Sequence, residues 1–393
     1  MNILFVSTEY PRRGQPTTGL PNYLYRVSLS LIKLGHNPAI LAAGEWDSYR
    51  VEQNIPIWIV GVPTYYNCKS QVFNYISSAL KVGYALNHKI KELVKKRNIE
   101  IIQFTSLYGI ALLYSQKVPT VLRLSSYAKI SFATFQTYSE SVVNIMSLFE
   151  RMSSRRCNTV FAPCKNTATV FEQDCHRSIK VIETPFVNDV QQYDNQIYVQ
   201  NLIGKKYVLF FGTLYAEKGI LVIAEILEQF LEMNQDYYFV FIGNTSNING
   251  KNVISILCKE AGKHVNRLLL FHALPHNQLY PIIQKADLVV LPSLMENLSN
   301  ACIEAMYFER VVVGTNGASF EQLITHGKNG LLCQIGDAQD LLEKMQMAVS
   351  MSASRKQEMG KLARKRIDKL NPEYVVRKLV RLYEYVILNC KHR

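Results

Sequence analysis

The chain contains no hydrophobic run approaching the ~18 consecutive apolar residues of a membrane-spanning helix. It has no pair of cysteines at metal or redox spacing. Its 8 cysteines are scattered from Cys68 to Cys390, which excludes a zinc site and a disulfide framework and fits free thiols in a reducing compartment. Neither GxGxxG nor GxxxxGK[ST] occurs, so a nicotinamide-type dinucleotide site and a Walker phosphate loop are not expected. No RNA-binding signature is present either. Charged residues make up only 19% of the 393 residues and hydrophobic ones 48%, a balance that excludes disorder. The first apolar run, Ile3 to Val6, is too short for a secretory signal core and has no basic stretch before it, so a cytoplasmic location is expected.

What is abundant is positive charge, and it is uneven. The chain has 44 basic against 31 acidic side chains, and residues 1–190 hold 21 of the basic and 12 of the acidic ones. A basic first half implies an anionic partner: a phosphate, a nucleic acid or a lipid surface. Nucleic acid is set aside, because charge without a reading motif gives only salt-sensitive, nonspecific association. Solvated lysines without a partner are the plain alternative.

The length suits about 2–3 domains, and the pattern alternates strand and helix. Asn2 to Ser7 reads as a strand buried on both faces. A helix follows with Leu24, Val27, Leu31 and Leu34 at helical spacing, Pro21 in its first turn and Gly35 at its stop, and then a strand from Pro38 to Leu41. Further strands are expected at 55–60, 99–104, 120–124 and 158–162, with a basic helix at 82–96. The polar stretch 187–206 lacks periodicity and reads as the linker. The alternation restarts with a strand at 207–211, a helix at 221–233 and a strand at 238–242. It continues through strands at 268–271, 288–291 and 311–314, with helices at 278–284 and 300–308, and closes in a helix from 372. The expected organisation is therefore an α/β chain with a first domain over 1–190, a linker over 191–206, a second domain over 207–371 and a terminal helix over 372–393. Two such sheets facing each other would leave a deep cleft, with functional residues just past the strands.

Three spots in the second half stand there. Gly212-Thr213-Leu214-Tyr215-Ala216-Glu217-Lys218-Gly219 joins a glycine, a mobile amine and the start of a helix, which suits a phosphate. Pro292 to Met306 places Glu296 in a loop and Glu304 in the second turn of the helix that begins near Ser299 or Asn300. Backbone N–H groups there suit an anion, and the two carboxylates suit hydroxyl groups. An anion site beside hydroxyl acceptors describes a nucleotide sugar. Exposed acids and a solvated turn lysine are the plainer reading of the same residues. The third spot, Gly314 to Ala318 with Glu321 and Gly327 to Gly330, reads as turn and packing.

These motifs, in this order, resemble the family 4 glycosyltransferases of the GT-B fold. The resemblance rests on MNILFVSTEYPRRG, SLIKLGHNPAIL, FAPCKNTATVF, VIETPF, GTLYAEKG, the Glu296-x7-Glu304 spacing after Pro292-Ser293, and VVVGTNGASFEQLITHGKNGLL, and it covers nearly the whole chain. It implies two Rossmann-like domains facing each other across a cleft, with the C-terminal helix returning to the first. It also implies retaining transfer of a hexosyl group without a metal or other cofactor, consistent with the lack of an Asp-x-Asp motif. The donor would bind the second domain and the acceptor the first. By the same resemblance Lys218 serves the diphosphate, Glu296 the donor sugar and Glu304 the ribose. Gly212 and Thr213 form the phosphate loop, and Asn297, Leu298 and Ser299 form the turn facing sugar and phosphate. Gly19 approaches the phosphates, and the base lies near His272 and Ala273.

This sequence departs from the family at three positions. Thr213 stands in place of an arginine, Thr18 in place of a glycine, and Ser125 in place of a histidine. Arg123, on the same strand face as Ser125, or Arg12 and Arg13 would restore the missing charge; an inactive homologue is the alternative.

The basic helix with His88, Lys89, Lys91, Lys95, Lys96 and Arg97, and the run Arg151, Arg155 and Arg156, put charge in the first domain, beside Tyr127, Phe132, Phe135 and Tyr138. Together they suggest contact with an anionic membrane carrying a lipid-linked glycan acceptor, on the inner face of the cell membrane. An ordinary aromatic core with solvated charge fits the same residues. The resemblance adds surface polysaccharide assembly, such as capsule or lipopolysaccharide, as the setting. A nucleotide-sugar epimerase, a phosphorylase on the same fold and a non-enzymatic anion-binding protein are the rival readings.

Overall fold

The computed structural model describes residues 1–10, 19–62, 70–115, 117–132, 138–245, 247–248 and 250–391. Arg12, Arg13, Thr18, Phe135 and Cys68 lie outside them. The chain divides into two compact units, Met1–Val187 with Leu370–Arg393, and Asn188–Lys369.

The first unit holds strands β1 (Asn2–Ser7), β2 (Asn37–Gly44), β3 (Ser48–Glu52), β4 (Ile55–Gly61), β5 (Ile101–Thr105), β6 (Thr120–Arg123), β7 (Thr159–Ala162) and β8 (Lys180–Val181). They form one sheet in the order β3-β4-β2-β1-β5-β6-β7-β8, parallel except for the β3–β4 hairpin. Its helices are α1 (Gly19–Lys33), α2 (Gln71–Arg97), the single turn α3 (Ala128–Ser131), α4 (Glu140–Arg156) and α5 (Lys165–Cys175). Successive residues of a strand point to opposite faces, and β1 shows the consequence. Ile3 and Phe5 join a core with Tyr23, Leu24 and Val27 of α1. Leu4 and Val6 join a second core with Val82, Leu86 and Ile90 of α2. Both sets are fully buried, which is why this strand is apolar throughout rather than alternating.

The second unit begins with α6 (Gln196–Asn201) and β9 (Lys206–Phe211), then α7 (Ile220–Met233) and β10 (Tyr237–Ile242). A two-stranded ribbon, β11 (Asn247–Ile248) with β12 (Lys251–Asn252), leads into α8 (Val253–Glu260) and β13 (Leu268–Phe271). The chain continues through α9 (His276–Lys285), β14 (Leu288–Leu291), α10 (Asn300–Tyr307), β15 (Val312–Asn316), β16 (Leu331–Gln334), α11 (Ala338–Ser350) and α12 (Ala353–Asp368). The sheet order is β13-β10-β9-β14-β15-β16, parallel at every pairing. Numbered within the unit this is 3-2-1-4-5-6, the doubly wound order of a Rossmann sheet.

The closing helix, α13 (Pro372–Lys391), belongs to the first unit. Val376, Leu379 and Tyr383 pack into the core that holds α1. The hydrogen bond from Phe186 N to Leu370 O (2.9 Å) marks where the chain re-enters that unit. The stretch read as the linker carries α6, whose Asp194 flank is tied to α9 by Asp194 N to Asn277 O (2.9 Å) and Gln278 Nε2 to Asp194 Oδ2 (2.8 Å). A six-residue helix is too short to show a period, which hid it in the sequence.

The aromatics at 127–138 do not gather as a surface patch among the described residues. Tyr127 is core, its hydroxyl donating to Asp174 (2.6 Å), and Phe132 packs beside Val142 and Met146 with Tyr138 edge-on. Among the described residues no helix is long and apolar enough to cross a membrane.

Candidate active site

In a doubly wound sheet, ligands bind beyond the carboxyl ends of the strands, at the point where strand order reverses. In the second unit that point lies between β9 and β14, which pair directly. The loops that follow them, 212–219 and 292–299, are fastened together by backbone. Leu294 N donates to Glu217 O (2.9 Å). Gly219 sits in the left-handed region (φ 74°) with Pro292 packed so closely that a Cβ would overlap the Pro292 carbonyl. Only glycine meets both demands.

Lys218, in the turn before α7, reaches across this junction: its Nζ lies 2.8 Å from Glu296 Oε1. Ser293 Oγ donates to the same oxygen at 3.2 Å. The pair is partly open to water, with side chains 29% and 15% exposed. Beneath it the Cys302 thiol is pushed up, chiefly by burial and secondly by the Glu296 carboxylate. Gly212, exposed, and Thr213, half-buried, open the first loop, and Leu214 N anchors it to Asn244 O (2.8 Å).

Asn297 and Leu298 lead into α10, where Ser299 is the cap, accepting from Cys302 N (3.3 Å). That leaves the first-turn N–H groups of Asn300 and Ala301 without intrahelical acceptors, as at any helix start. Glu304 lies one turn further in and is buried. Its Oε1 is 3.4 Å from Nε2 of His276, the first residue of α9. His276 stacks on Tyr280 (5.0 Å, 26°), and Tyr280 meets Phe308 edge-on at the end of α10. His276 was missed in the sequence; its only signal is a place shortly after β13, which it shares with His272 and Ala273. Those two are exposed at the carboxyl end of β13. Lys218 and Glu296 are thus brought into contact, and Glu304 has a different partner. In the third spot Gly317 N donates to Glu321 Oε2 (3.3 Å), which makes it a turn.

The first unit holds the remaining candidates. Gly19 is the exposed first residue of α1. Arg123, at the end of β6, is 5% exposed. Its Nη1 donates to Ser125 Oγ (3.0 Å) and its Nη2 to Thr184 Oγ1 (3.0 Å), and it lies 3.9 Å from the centre of the Tyr23 ring. Burial pulls the guanidinium below its ordinary value. Tyr23 accepts from Gln103 Nε2 (3.2 Å), and Gln103 Oε1 accepts from Tyr383 of α13 (2.6 Å). Arg123 and Ser125 therefore share a face and a hydrogen bond, and the arginine is enclosed in a network that ties the terminal helix to the sheet.

Residues 195–366, most of the second unit, match the family described as glycosyl transferases group 1. An uncharacterised glycosyltransferase of Methanocaldococcus jannaschii is 21% identical over 399 aligned positions, covering 98% of each chain. A 2-deoxystreptamine N-acetyl-D-glucosaminyltransferase of Niallia circulans is 24% identical over 143 residues, so the chain spans about a third (36%) of that relative's length. Among solved structures, sucrose-phosphate synthase from Thermosynechococcus elongatus shares the fold with a TM-score of 0.79 at 16% identity, covering 99% of each chain. The fold is two parallel-sheet, Rossmann-like domains. Together with the family match it supports a glycosyltransferase of the GT-B class.

Proposed function

We propose that the protein is a retaining glycosyltransferase of the family 4 type. It moves a hexosyl group from a nucleoside-diphosphate sugar to a hydroxyl of a glycan acceptor. One observation carries this reading: an amine and a carboxylate, Lys218 and Glu296, meet where two loops cross the switch point of a doubly wound sheet. The amine suits a diphosphate and the carboxylate suits sugar hydroxyls. The donor's phosphates then take Lys218 and the N–H groups of 212–213 and 300–301, with Asn297, Leu298 and Ser299 lining the sugar side. Glu304, steadied by His276, accepts from the ribose hydroxyls, and the base lies toward His272 and Ala273. Acceptor binding falls to the first unit.

The reaction makes a bond from the acceptor oxygen to the anomeric carbon as the bond from that carbon to phosphate breaks. Negative charge then grows on the departing diphosphate. Donors fixed there stabilise that charge more in the transition state than in the ground state, which is what accelerates the step. Attack comes from the face the phosphate leaves, and a phosphate oxygen takes the acceptor's proton. Neither a protein nucleophile nor a metal ion is required, since Lys218 and the backbone supply the positive charge. The proposed acceptor is lipid-linked, in surface polysaccharide assembly, which fits the basic first unit.

A thermal-shift screen with UDP-, GDP-, ADP- and TDP-sugars tests the donor, since a ligand of the native state raises the melting temperature. One nucleotide series should stand out, and its sugar should be transferred with the anomeric configuration kept, as read by proton NMR. No shift with any of the four would reject the reading. An isomerised sugar formed without acceptor would mark an epimerase, and glycan-dependent turnover of inorganic phosphate would mark a phosphorylase.

A further inference from the structure

Helices α2 and α4 of the first unit pack against each other through an aromatic seam. Tyr75 of α2 meets Phe149 of α4 edge-on (5.9 Å) and stacks on Tyr108 (5.4 Å). The outward stripe of α2 runs at helical spacing through Phe73, Leu80 and Tyr84 to Lys91 and Lys95. A solvated helix carries polar residues there, yet Phe73, Leu80 and Tyr84 are 61%, 40% and 69% exposed. Helix α4 repeats the arrangement, with Leu148 and Met152 exposed one turn apart and Arg155 and Arg156 following. Both helices are crossovers between parallel strands, so they run in the same direction, and in each the exposed apolar residues precede a basic C-terminal end.

The charge on this face is mainly basic, α4 contributing Arg151, Arg155 and Arg156 against the exposed Glu140 at its start and the buried Glu150. Helix α2 carries six basic residues and one acid, Glu92, and that acid is already taken by Lys89 (2.7 Å) and Lys96 (2.8 Å). At the flank the β3–β4 hairpin adds Tyr49, 56% exposed and paired in register with Trp58 on the side that packs against α2. Exposed aromatics beside lysines and arginines, laid along a helix about 40 Å long at 1.5 Å per residue, match the interfacial layer of a bilayer. Rings sit there at headgroup depth and ammonium groups meet anionic lipid.

We propose that the α2–α4 face docks flat on an anionic lipid bilayer. This deepens the lipid-linked acceptor proposed above, but its test does not use turnover. The full chain is sedimented with vesicles of phosphatidylglycerol and phosphatidylcholine in equal parts, and with phosphatidylcholine alone. It should bind only the anionic vesicles at 50 mM salt and be released near 0.5 M. Lys91→Ala with Lys95→Ala should lower the partition coefficient by about 30-fold, at ~1 kcal/mol for each basic residue removed. Phe73→Ser with Tyr84→Ser should lower it by roughly 10-fold or more, the apolar share, and Lys259→Ala with Lys263→Ala in the second unit should leave it unchanged. Equal binding to both vesicle types, no binding, or indifference to both face variants overturns the proposal. So does a dimer that both face variants dissolve, which would give the face to a second copy of the chain. The donor-induced thermal shift, measured on the same variants, should persist, so a failed membrane face and a failed donor site are told apart.

Discussion

Replacing Lys218 by methionine keeps the alkyl stem and removes only the charge. The pair it breaks is 2.8 Å long, but its side chains are 29% and 15% exposed, and Glu296 retains the Ser293 hydroxyl. Water screening leaves such a pair worth about 0.5–1 kcal/mol, so urea unfolding should shift by no more than that. Turnover should respond differently. Loss of one preorganised donor to developing charge costs ~3–4 kcal/mol in the transition state, a fall of 10²–10³ in kcat. Glu296→Gln should separate the two roles in the other direction. With the competing carboxylate gone, Lys218 is available to phosphate at no cost, and the nucleoside diphosphate should bind roughly 3–5-fold more tightly, by the same ~1 kcal/mol. Transfer should nevertheless slow. The double variant completes the cycle, and its unfolding energy should fall short of additivity by the coupling energy. If Lys218→Met loses several kcal/mol of stability while turnover stays within threefold, the pair is a structural clamp and Lys218 does not serve the departing diphosphate.

Three further outcomes follow, two from groups away from the junction and one from the glycine that closes it. Glu150 of α4 is buried, and burial pushes its carboxyl up to about 8 against the pull of the Ala128 N–H (2.9 Å). The folded protein therefore holds a proton that the unfolded chain releases above about 4.5. Stability should decline as pH rises through that window and level off above 8, by of the order of 5 kcal/mol in all; Glu150→Gln should flatten the urea-midpoint profile, and a wild-type profile without slope would refute the assignment. Tyr383→Phe removes the 2.6 Å bond to Gln103 and should cost about 1–3 kcal/mol, with earlier proteolysis of α13; an unchanged midpoint would show that the network is slack. Gly219→Ala forces a Cβ against the Pro292 carbonyl in a left-handed backbone. It should cost about 2 kcal/mol or more and abolish the donor-induced thermal shift, whereas a stable variant with normal binding would mean the two loops are not held as described.

Sequence reasoning reached furthest where burial is symmetric. The apolar runs Ile3 to Val6 and Leu288 to Leu291 declare parallel central strands because both of their faces are covered. Pro21 and Gly35 bracket α1 because one fixes φ at a helix start and the other takes a φ of 79° beyond its end. What escaped is polar or short. Strand β3 reads Ser-Tyr-Arg-Val-Glu and lies at a sheet edge, and α12 carries too many charges to show an apolar stripe. Among the site candidates, the position of Glu296 and Glu304 past a strand was legible, as was that of Lys218. Their partners were not. The contact between Lys218 and Glu296 spans 78 residues and depends on a strand order that only the folded sheet reveals. His276 lies on a different helix from Glu304, and nothing in its neighbours announces a carboxylate. The enclosure of Arg123 by Thr184 and Tyr23 is likewise a product of long-range packing.

The location of the donor is most directly tested by amide hydrogen exchange, followed by mass spectrometry, with and without the nucleoside diphosphate that gives the largest thermal shift. Exchange should slow in residues 212–219 and 293–301 of the wild type, and that slowing should be lost in Lys218→Met. Protection confined to other segments, or unchanged in the variant, would mean that the junction of these two loops does not hold the donor.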